Sequence, residues 1–246
     1  MYAAFRTAPA VLFAATLAVA TAACGSSSSS GTPAASSATS GSNALAGMSA
    51  DQIAARAVAD LGTSSSVHVS GSVTDSGQTI GLDLALARGE GCQGSMSLSG
   101  KGSFEIVNKG STVWIKPTDA FYKGVGASGA AVRLLSGKWL KVPANGSGLG
   151  SLSSLCNASS LAHSFAKNAT GFTKGPATTV NGQPAQELNQ PSHKTHVFVS
   201  QSATPEILQI QGPKGQGYVN FTNYDAPATI TTPPAGETLD GTKYGF

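Results

Sequence analysis

The first periodic pattern of apolar side chains along the chain predicts a short helix that starts near residue 50. Ser49-Ala50-Asp51-Gln52 has the form of a capping box, in which serine and glutamine side chains satisfy backbone N–H groups at a helix start. Gly62 is a stop signal at the other end. The apolar residues between them, at helical spacing, are Ile53, Ala54, Ala57, Val58 and Leu61. The pattern predicts about three turns of helix with one buried face.

After this helix the hydrophobic period changes to two, which is typical of strands with one buried face. Apolar and polar side chains alternate from Val67 to Thr74, a turn follows at Asp75-Ser76-Gly77, and residues 80–88 alternate again. Further runs of this kind, each bounded by Gly, Ser, Asn or Pro, lie at 96–98, 104–107 and 112–116. We therefore expect a meander of antiparallel strands.

The rest of the chain predicts a second helix and a further set of strands. A helix is expected within residues 149–166, where Leu152, Leu155 and Phe165 fall near one stripe. Asn181-Gly182, between two short apolar runs, is the strongest hairpin signal in the chain. The remaining predicted elements are a helical turn at 119–123 and strands at 137–143, 196–199, 207–211, 217–222 and 229–231. This order of elements predicts an α+β fold built on one large antiparallel sheet.

The first 23 residues have the pattern of a bacterial export signal. Arg6 precedes an apolar run from Ala8 to Ala20, which is too short to cross the roughly 30 Å hydrocarbon core of a membrane as a stable helix. Thr21-Ala22-Ala23-Cys24 follows and resembles a lipobox, although Ala20-Thr21-Ala22 also fits the ordinary signal peptidase. We expect Cys24 to become a diacylglyceryl-cysteine that anchors the mature chain at the extracytoplasmic face of the cell membrane.

Behind this cysteine the composition predicts a tether followed by one domain. Residues 24–47 are almost entirely Ser, Gly, Ala, Thr, Asn and Pro, and only Leu45 is apolar enough to pack. Such a segment is flexible and spans roughly 25–30 Å end to end. Residues 48–246 are then expected to form a single domain of a size that buries a hydrophobic core.

The charge pattern and the motifs argue against several classes of function. Only 11% of residues are charged and the net charge is +3, with Lys and Arg spread singly, so a nucleic-acid footprint is absent. Residues 124–129 match G-x-G-x-x-G, but the next acidic residue is Glu187, too distant to hold a ribose. His193 and His196 have no nearby acidic or thiol ligand to complete a metal shell. We expect no catalytic site, no metal and no cofactor.

Cysteine usage is consistent with export. Of the three cysteines in the chain, lipidation would use Cys24, which leaves Cys92 and Cys156. We expect these two to form a disulfide in an oxidising compartment, the alternative being two free buried thiols. In the chain-entropy model a loop of this size stabilises the fold by roughly 4 kcal/mol.

Several short motifs add a family resemblance that extends over most of residues 48–235. Besides the lipobox and the tether they are Ser49–Ile53, Val67–Thr74, Gly91–Gly94, Val113–Lys116, Phe121–Lys123, Gly137–Pro143 and Val180–Ala185. Together they resemble actinobacterial cell-envelope lipoproteins of the LppX/LprAFG-like type. That family is similar to the lipoprotein carriers LolA and LolB, which implies a curved antiparallel half-barrel with helices closing its concave face. The resemblance also implies that a lipid or acylated glycolipid is held in the concavity and moved through the envelope.

In such a half-barrel the concave face must be apolar, and the in-phase residues of the first strands are the candidates to line it. These candidate lipid-binding residues are Val67, Val69, Ile80, Leu82, Leu84, Leu86, Met96 and Leu98. The same residues would also suit a filled core, because alternation does not distinguish a core from a pocket. Our leading hypothesis is a lipid-binding carrier or presenter. The alternative is a surface lipoprotein with a filled core that acts as an envelope scaffold or signalling partner through an unknown protein or cell-wall contact.

Overall fold

A computed structural model describes residues 44–146 and 148–244, without the side chains of residues 148, 149 and 151. The predicted signal peptide, Cys24 and the tether as far as residue 43 lie outside the described residues. The described residues all belong to one structural unit. Its own side chains enclose its hydrophobic core, so we expect it to fold independently. Leu45, within the predicted tether, is 1% exposed and packs in this core.

Four α-helices are found within the described residues. α1 (Ala50–Thr63) begins at the predicted capping box, which is confirmed: the backbone N–H of Gln52 donates to Ser49 Oγ (3.2 Å) and the N–H of Ser49 donates to Gln52 Oε1 (2.7 Å). The others are α2 (Asp119–Gly124), α3 (Gly129–Leu135) and α4 (Ala158–Ala166). Short 3-10 helices lie at Gly148–Cys156, Ala235–Glu237 and Gly241–Tyr244.

Two of these helical regions differ from the sequence prediction. The helix expected within 149–166 is divided at Asn157, whose side chain accepts the N–H of Ser160 (3.0 Å) and so starts α4 separately from the preceding 3-10 helix. α3 was not predicted from the sequence. Ser128 caps it by accepting the N–H of Ala131 (3.2 Å).

The strands form one open, curved sheet, twelve of them in the described part of the chain. They are β1 (Ser66–Asp75), β2 (Gln78–Ala87), β3 (Gly91–Leu98), β4 (Gly102–Lys109), β5 (Thr112–Pro117), β6 (Trp139–Pro143), β7 (Thr173–Val180), β8 (Gln183–Gln190), β9 (Thr195–Ser200), β10 (Ile207–Gln211), β11 (Gly217–Thr222) and β12 (Thr238–Asp240). The α+β class and the curved open sheet are thus confirmed. β12 pairs with β6 in parallel, which makes an otherwise antiparallel sheet mixed.

Two meanders meet in the middle of this sheet. The strand order is β12-β6-β5-β4-β3-β2-β1-β11-β10-β9-β8-β7, so β1–β6 form the first meander, β7–β11 form the second, and β1 pairs with β11. The predicted Asn181-Gly182 hairpin joins β7 to β8 and is confirmed, with φ of 50° and 81° at the two turn residues. These positive values explain the residue choice, since asparagine and glycine tolerate them best.

The hydrophobic core lies between one face of the sheet, the inner face, and the helices. Ile53 and Leu61 of α1 and Ile115 of β5 are all 0% exposed. α1 contacts α4, β7, β9 and β10, whereas the 3-10 helix at Gly148–Cys156 contacts β3, β5 and β6. The two meanders are therefore covered by different helical segments.

The predicted Cys92–Cys156 disulfide is present, with a Cα–Cα distance of 5.0 Å. Cys92 lies on the inner face of β3, and Cys156 ends the 3-10 helix immediately before Asn157, the cap of α4. The disulfide therefore fixes the start of α4 to the first meander.

The strand predicted at 229–231 is wrong, because this segment crosses the outer face of the sheet instead of joining its ladder. Lys109 Nζ donates to the Ile230 carbonyl (2.9 Å) and the Thr231 N–H donates to Gln93 Oε1 (3.1 Å). Ile230 is 2% exposed and packs with outer-face side chains, namely Ala87, Val107 and Trp139. Its apolar character reflects burial without strand pairing. We call residues 223–237 the strap; it carries the chain to β12.

Candidate functional site

The candidate lipid-binding residues all lie on the inner face of β1, β2 and β3. Across the strands Val67 faces Leu86, Val69 faces Leu84, Leu82 faces Met96, and Ile80 faces both Val73 and Leu98. The strand register therefore brings together residues that the sequence placed in three separate runs.

Their exposure increases along the strands. Val67 and Leu86 are each 1% exposed, and Val69, Leu84 and Met96 are also in the core, whereas Leu82 and Leu98 are half-buried. Ile80, at the far end, is 37% exposed. Most of these side chains fill the core of the first meander, and their contact with a lipid stays a prediction.

An apolar cavity of about 220 Å³ lies under the second meander instead. α1 and α4 form one wall and β9 and β10 the other. The apolar lining residues are Ala54, Ala57, Val58, Phe165, Ala169, Phe172, Val197, Val199, Ile207 and Ile210. The polar lining residues are Asn168, Gln190, His193 and Thr195. Asn168 and His193 are exposed, so they mark the side on which the cavity opens to solvent.

Small side chains on α1 account for the empty space. Ala54 and Ala57 are 4% and 0% exposed and point towards the sheet at helical spacing. Protein cores are close-packed, so a layer of methyl groups opposite the branched side chains of β9 and β10 leaves volume that larger residues would occupy. The cavity therefore follows from side-chain size on the helix and not from the strand pattern.

A loop at residues 167–172, between α4 and β7, lies over the cavity and is held at three points. Gln190 Nε2 donates to the carbonyls of Asn168 (2.6 Å) and Thr170 (2.9 Å), and the Phe172 N–H donates to Asp51 Oδ1 (2.8 Å). Gln190 is 6% exposed, and its amide joins this loop to β8. Sequence reasoning missed Gln190, whose only signal is a polar residue at an inner-facing strand position.

The cavity lining contains no Asp, Glu, Lys or Arg. Glu206 lies outside the lining, where burial raises its pKa and the charges of Asp225 and Asp60 raise it further. Burial also raises the pKa of Tyr224, whose hydroxyl donates to the Ile207 carbonyl (2.8 Å). The cavity thus suits an uncharged apolar group, and the Tyr224 hydroxyl holds the backbone of the lining residue Ile207.

The two histidines considered as metal ligands lie apart. His193 lines the cavity, whereas His196 lies on the outer face, where its Nδ1 is 2.7 Å from Glu187 Oε1. No group of three or more His, Cys, Asp or Glu side chains suited to a metal ion is found among the residues the structure describes. Nor does that part of the chain contain a helix with the length and apolar character needed to cross a bilayer.

Comparison with known proteins identifies the fold. No family model and no curated protein matches the chain. Among solved structures it is similar to the crystal structure of LprF from Mycobacterium bovis, with a TM-score of 0.52 and 15% identity over 76% of this chain and 97% of that chain. At this identity the similarity shows the fold alone. The resemblance to LppX/LprAFG-like lipoproteins is therefore confirmed at the level of the fold.

Proposed function

We propose that this protein is a cell-envelope lipoprotein that binds an acyl chain of a lipid or acylated glycolipid in the cavity beneath α1 and α4, and carries or presents that molecule. The observation that carries the proposal is the cavity itself, which is apolar, uncharged and open on one side. Burial of apolar surface would supply the binding energy, at about 0.8 kcal/mol per methylene. No covalent reaction is involved.

The size of the cavity limits what it holds. Its volume of about 220 Å³ lies between the roughly 150 Å³ of an engineered cavity that takes benzene and the about 300–1,000 Å³ of pockets for drug-sized ligands. We propose that it takes part of one acyl chain, and that the head group stays at the mouth near Asn168 and His193. A ligand held in this way keeps a short exit route.

We further propose that Cys24 carries the diacylglyceryl anchor and that the domain acts at the extracytoplasmic face of the cell membrane. The support is the sequence pattern around Cys24, together with a Ser- and Gly-rich tether. A flexible linker of this length lets the domain reach the lipid surface and also leave it.

The test is native mass spectrometry, with organic extraction, of residues 41–246 produced in an actinobacterial host and then incubated with dodecanoate. Ile210→Glu places a carboxylate in the cavity wall, and Ile80→Glu makes the same change at a candidate residue outside the lining. We expect wild type and Ile80→Glu to hold an acyl species that Ile210→Glu loses while remaining folded by circular dichroism. Loss in Ile80→Glu alone would instead locate the ligand on the first meander.

The alternative function is favoured by the filled core of the first meander. An envelope scaffold or signalling lipoprotein needs only a stable surface, and the packed core beneath β1–β5 would hold their outer face rigid. An apo mass without extractable lipid, combined with no uptake of dodecanoate, would contradict the carrier function and support this one.

A further inference from the structure

The most exposed large apolar side chains in the described part of the chain lie together in sequence, at the region of α2 and α3. Val125, directly after α2, is 54% exposed, and Leu134 in α3 is 56% exposed. Single exposed apolar residues are common on protein surfaces and need no explanation. Here one directly follows α2 and the other lies in α3, the next helix along the chain.

The two helices are firmly attached to the sheet. Tyr122 of α2 and Val132 and Leu135 of α3 are 0%, 6% and 3% exposed and form one cluster with Leu140 of β6. The Phe121 ring also packs edge-on against Phe104, with 5.2 Å between centroids. Because one face of each helix is anchored, the exposed side chains are held outward from a fixed support.

Basic side chains flank the exposed apolar ones. Lys123 and Arg133 are exposed, and they precede Val125 by two residues and Leu134 by one. The backbones of two more lysines, the exposed Lys101 and the half-buried Lys138, lie beside the two helices. A Cβ on Gly124 would lie 2.7 Å from the Cα of Lys101, and the Lys138 N–H donates to the Leu135 carbonyl (3.1 Å).

The region carries little opposing charge. Between residues 119 and 138 the one acidic residue is Asp119, and its Oδ1 accepts a hydrogen bond from Ser136 Oγ (2.7 Å). The combination of outward apolar side chains with a surplus of cations matches a membrane surface that carries anionic head groups.

We propose that the α2–α3 surface, defined by Lys101, Lys123, Val125, Arg133, Leu134 and Lys138, docks on an anionic phospholipid bilayer. Val125 and Leu134 would enter the interface between head groups and acyl chains, and the four cations would contact lipid phosphates. Two apolar side chains are far less than a stable protein interface needs, since such interfaces bury at least about 1,000 Å². The surface is separate from the cavity, so this docking does not depend on the proposed ligand.

The experiment is co-sedimentation of residues 41–246 with vesicles of equal parts phosphatidylglycerol and phosphatidylcholine, compared with pure phosphatidylcholine, at low ionic strength. We expect binding to the anionic vesicles that falls steeply with added salt. Leu134→Glu should weaken it by about ten-fold, because it removes an apolar contact and adds a repelled charge. The double variant Lys123→Gln/Arg133→Gln should weaken it several-fold.

Tyr218→Glu is the matched control, because Tyr218 on β11 is 49% exposed and the substitution changes the net charge by the same amount. It should alter vesicle binding by less than about two-fold. An equal loss in Tyr218→Glu would show a general charge effect and overturn the proposal, as would wild type that binds neither vesicle. Sedimentation velocity supplies one more arm: a dimer that Leu134→Glu dissociates would assign this surface to self-association.

Discussion

The two meanders of the sheet are built from the same kind of alternating strands, but the inner face of the first is filled and that of the second borders a cavity. In the first, large side chains such as Ile106 and Ile115 pack into a continuous core. In the second, α1 presents Ala54 and Ala57, and a cavity remains. The size of the side chains on the covering helix therefore decides whether an inner face is filled or hollow.

The meanders are nevertheless continuous across their junction. Strand register places one row of inner-face positions through both, with neighbouring strands about 4.7–4.9 Å apart. The row is Val197, Ile210, Val219, Gly71, Leu82 and Met96. Its first two members line the cavity and its last two are candidate residues from the sequence. A ligand that extended past Ile210 would therefore move towards the first meander, and Gly71 adds no side chain to obstruct it.

The largest loss of stability should come from removing the disulfide that links α4 to the first meander. The double variant Cys92→Ala/Cys156→Ala removes the disulfide that joins β3 to the start of α4. We expect a loss of roughly 4 kcal/mol in the free energy of unfolding, measured by urea denaturation. A change below about 1 kcal/mol would mean that α4 is held by packing alone.

The second prediction compares the stability lost when an isoleucine is truncated in the filled core and in the cavity wall. Ile115→Ala truncates a side chain that is 0% exposed in the first meander, and Ile210→Ala truncates a half-buried one in the cavity wall. We expect a loss of about 3–4 kcal/mol for the first and below about 1.5 kcal/mol for the second, because a residue beside empty space loses fewer contacts. Urea denaturation of both variants checks this, and equal losses would refute the contrast.

A smaller effect concerns the loop over the cavity. Gln190→Ala removes the amide that donates to two carbonyls in residues 167–172. Each lost hydrogen bond costs about 0.5–1.5 kcal/mol, since the two freed carbonyls lie in an exposed loop that water can reach. We expect faster hydrogen exchange confined to α4 and this loop, measured by mass spectrometry, with β1–β6 unchanged. Faster exchange throughout the domain would instead indicate global destabilisation.

The smallest effect is a pH dependence in the second meander. The pKa of Glu206 is raised in the folded state, so the folded chain binds its proton more tightly than the unfolded chain, and stability is lost as pH rises through the folded value. Glu206→Gln should therefore raise the melting temperature at pH 7. The corresponding gain in the free energy of unfolding should be at most about 1 kcal/mol, since the group is partly solvated. At pH 4 the gain should shrink, and a larger gain there would contradict this origin.

Local signals in the sequence predicted local structure well. The capping box at Ser49 and the turn at Asn181-Gly182 each satisfy a backbone requirement within a few residues, so their identity determines the outcome. The alternating runs likewise placed the first strands and the face they share. The disulfide was predictable because the assignment of Cys24 to lipidation left one possible pair.

The features that the sequence did not predict depend on contacts between residues that are distant in sequence. The cavity exists because Ala57 of α1 faces Val197 and Ile210, and no local pattern reports the distance between those layers. Ile230 was assigned to a strand because burial and strand pairing produce the same apolar signal. The candidate residues were correctly grouped on one face, but alternation alone did not reveal which meander was hollow.

The parallel pairing of β12 with β6 also determines when the outer edge of β6 is covered as the chain folds. β6 belongs to the first meander, yet its outer edge is covered only by residues 238–240, which arrive after the whole second meander and the strap. A chain synthesised from its N-terminus therefore leaves this strand edge uncovered until residues 238–240 are in place, and unpaired edges promote association with other chains. β12 ends that exposure, so the outer edge of the first meander is sealed only after the second meander is complete.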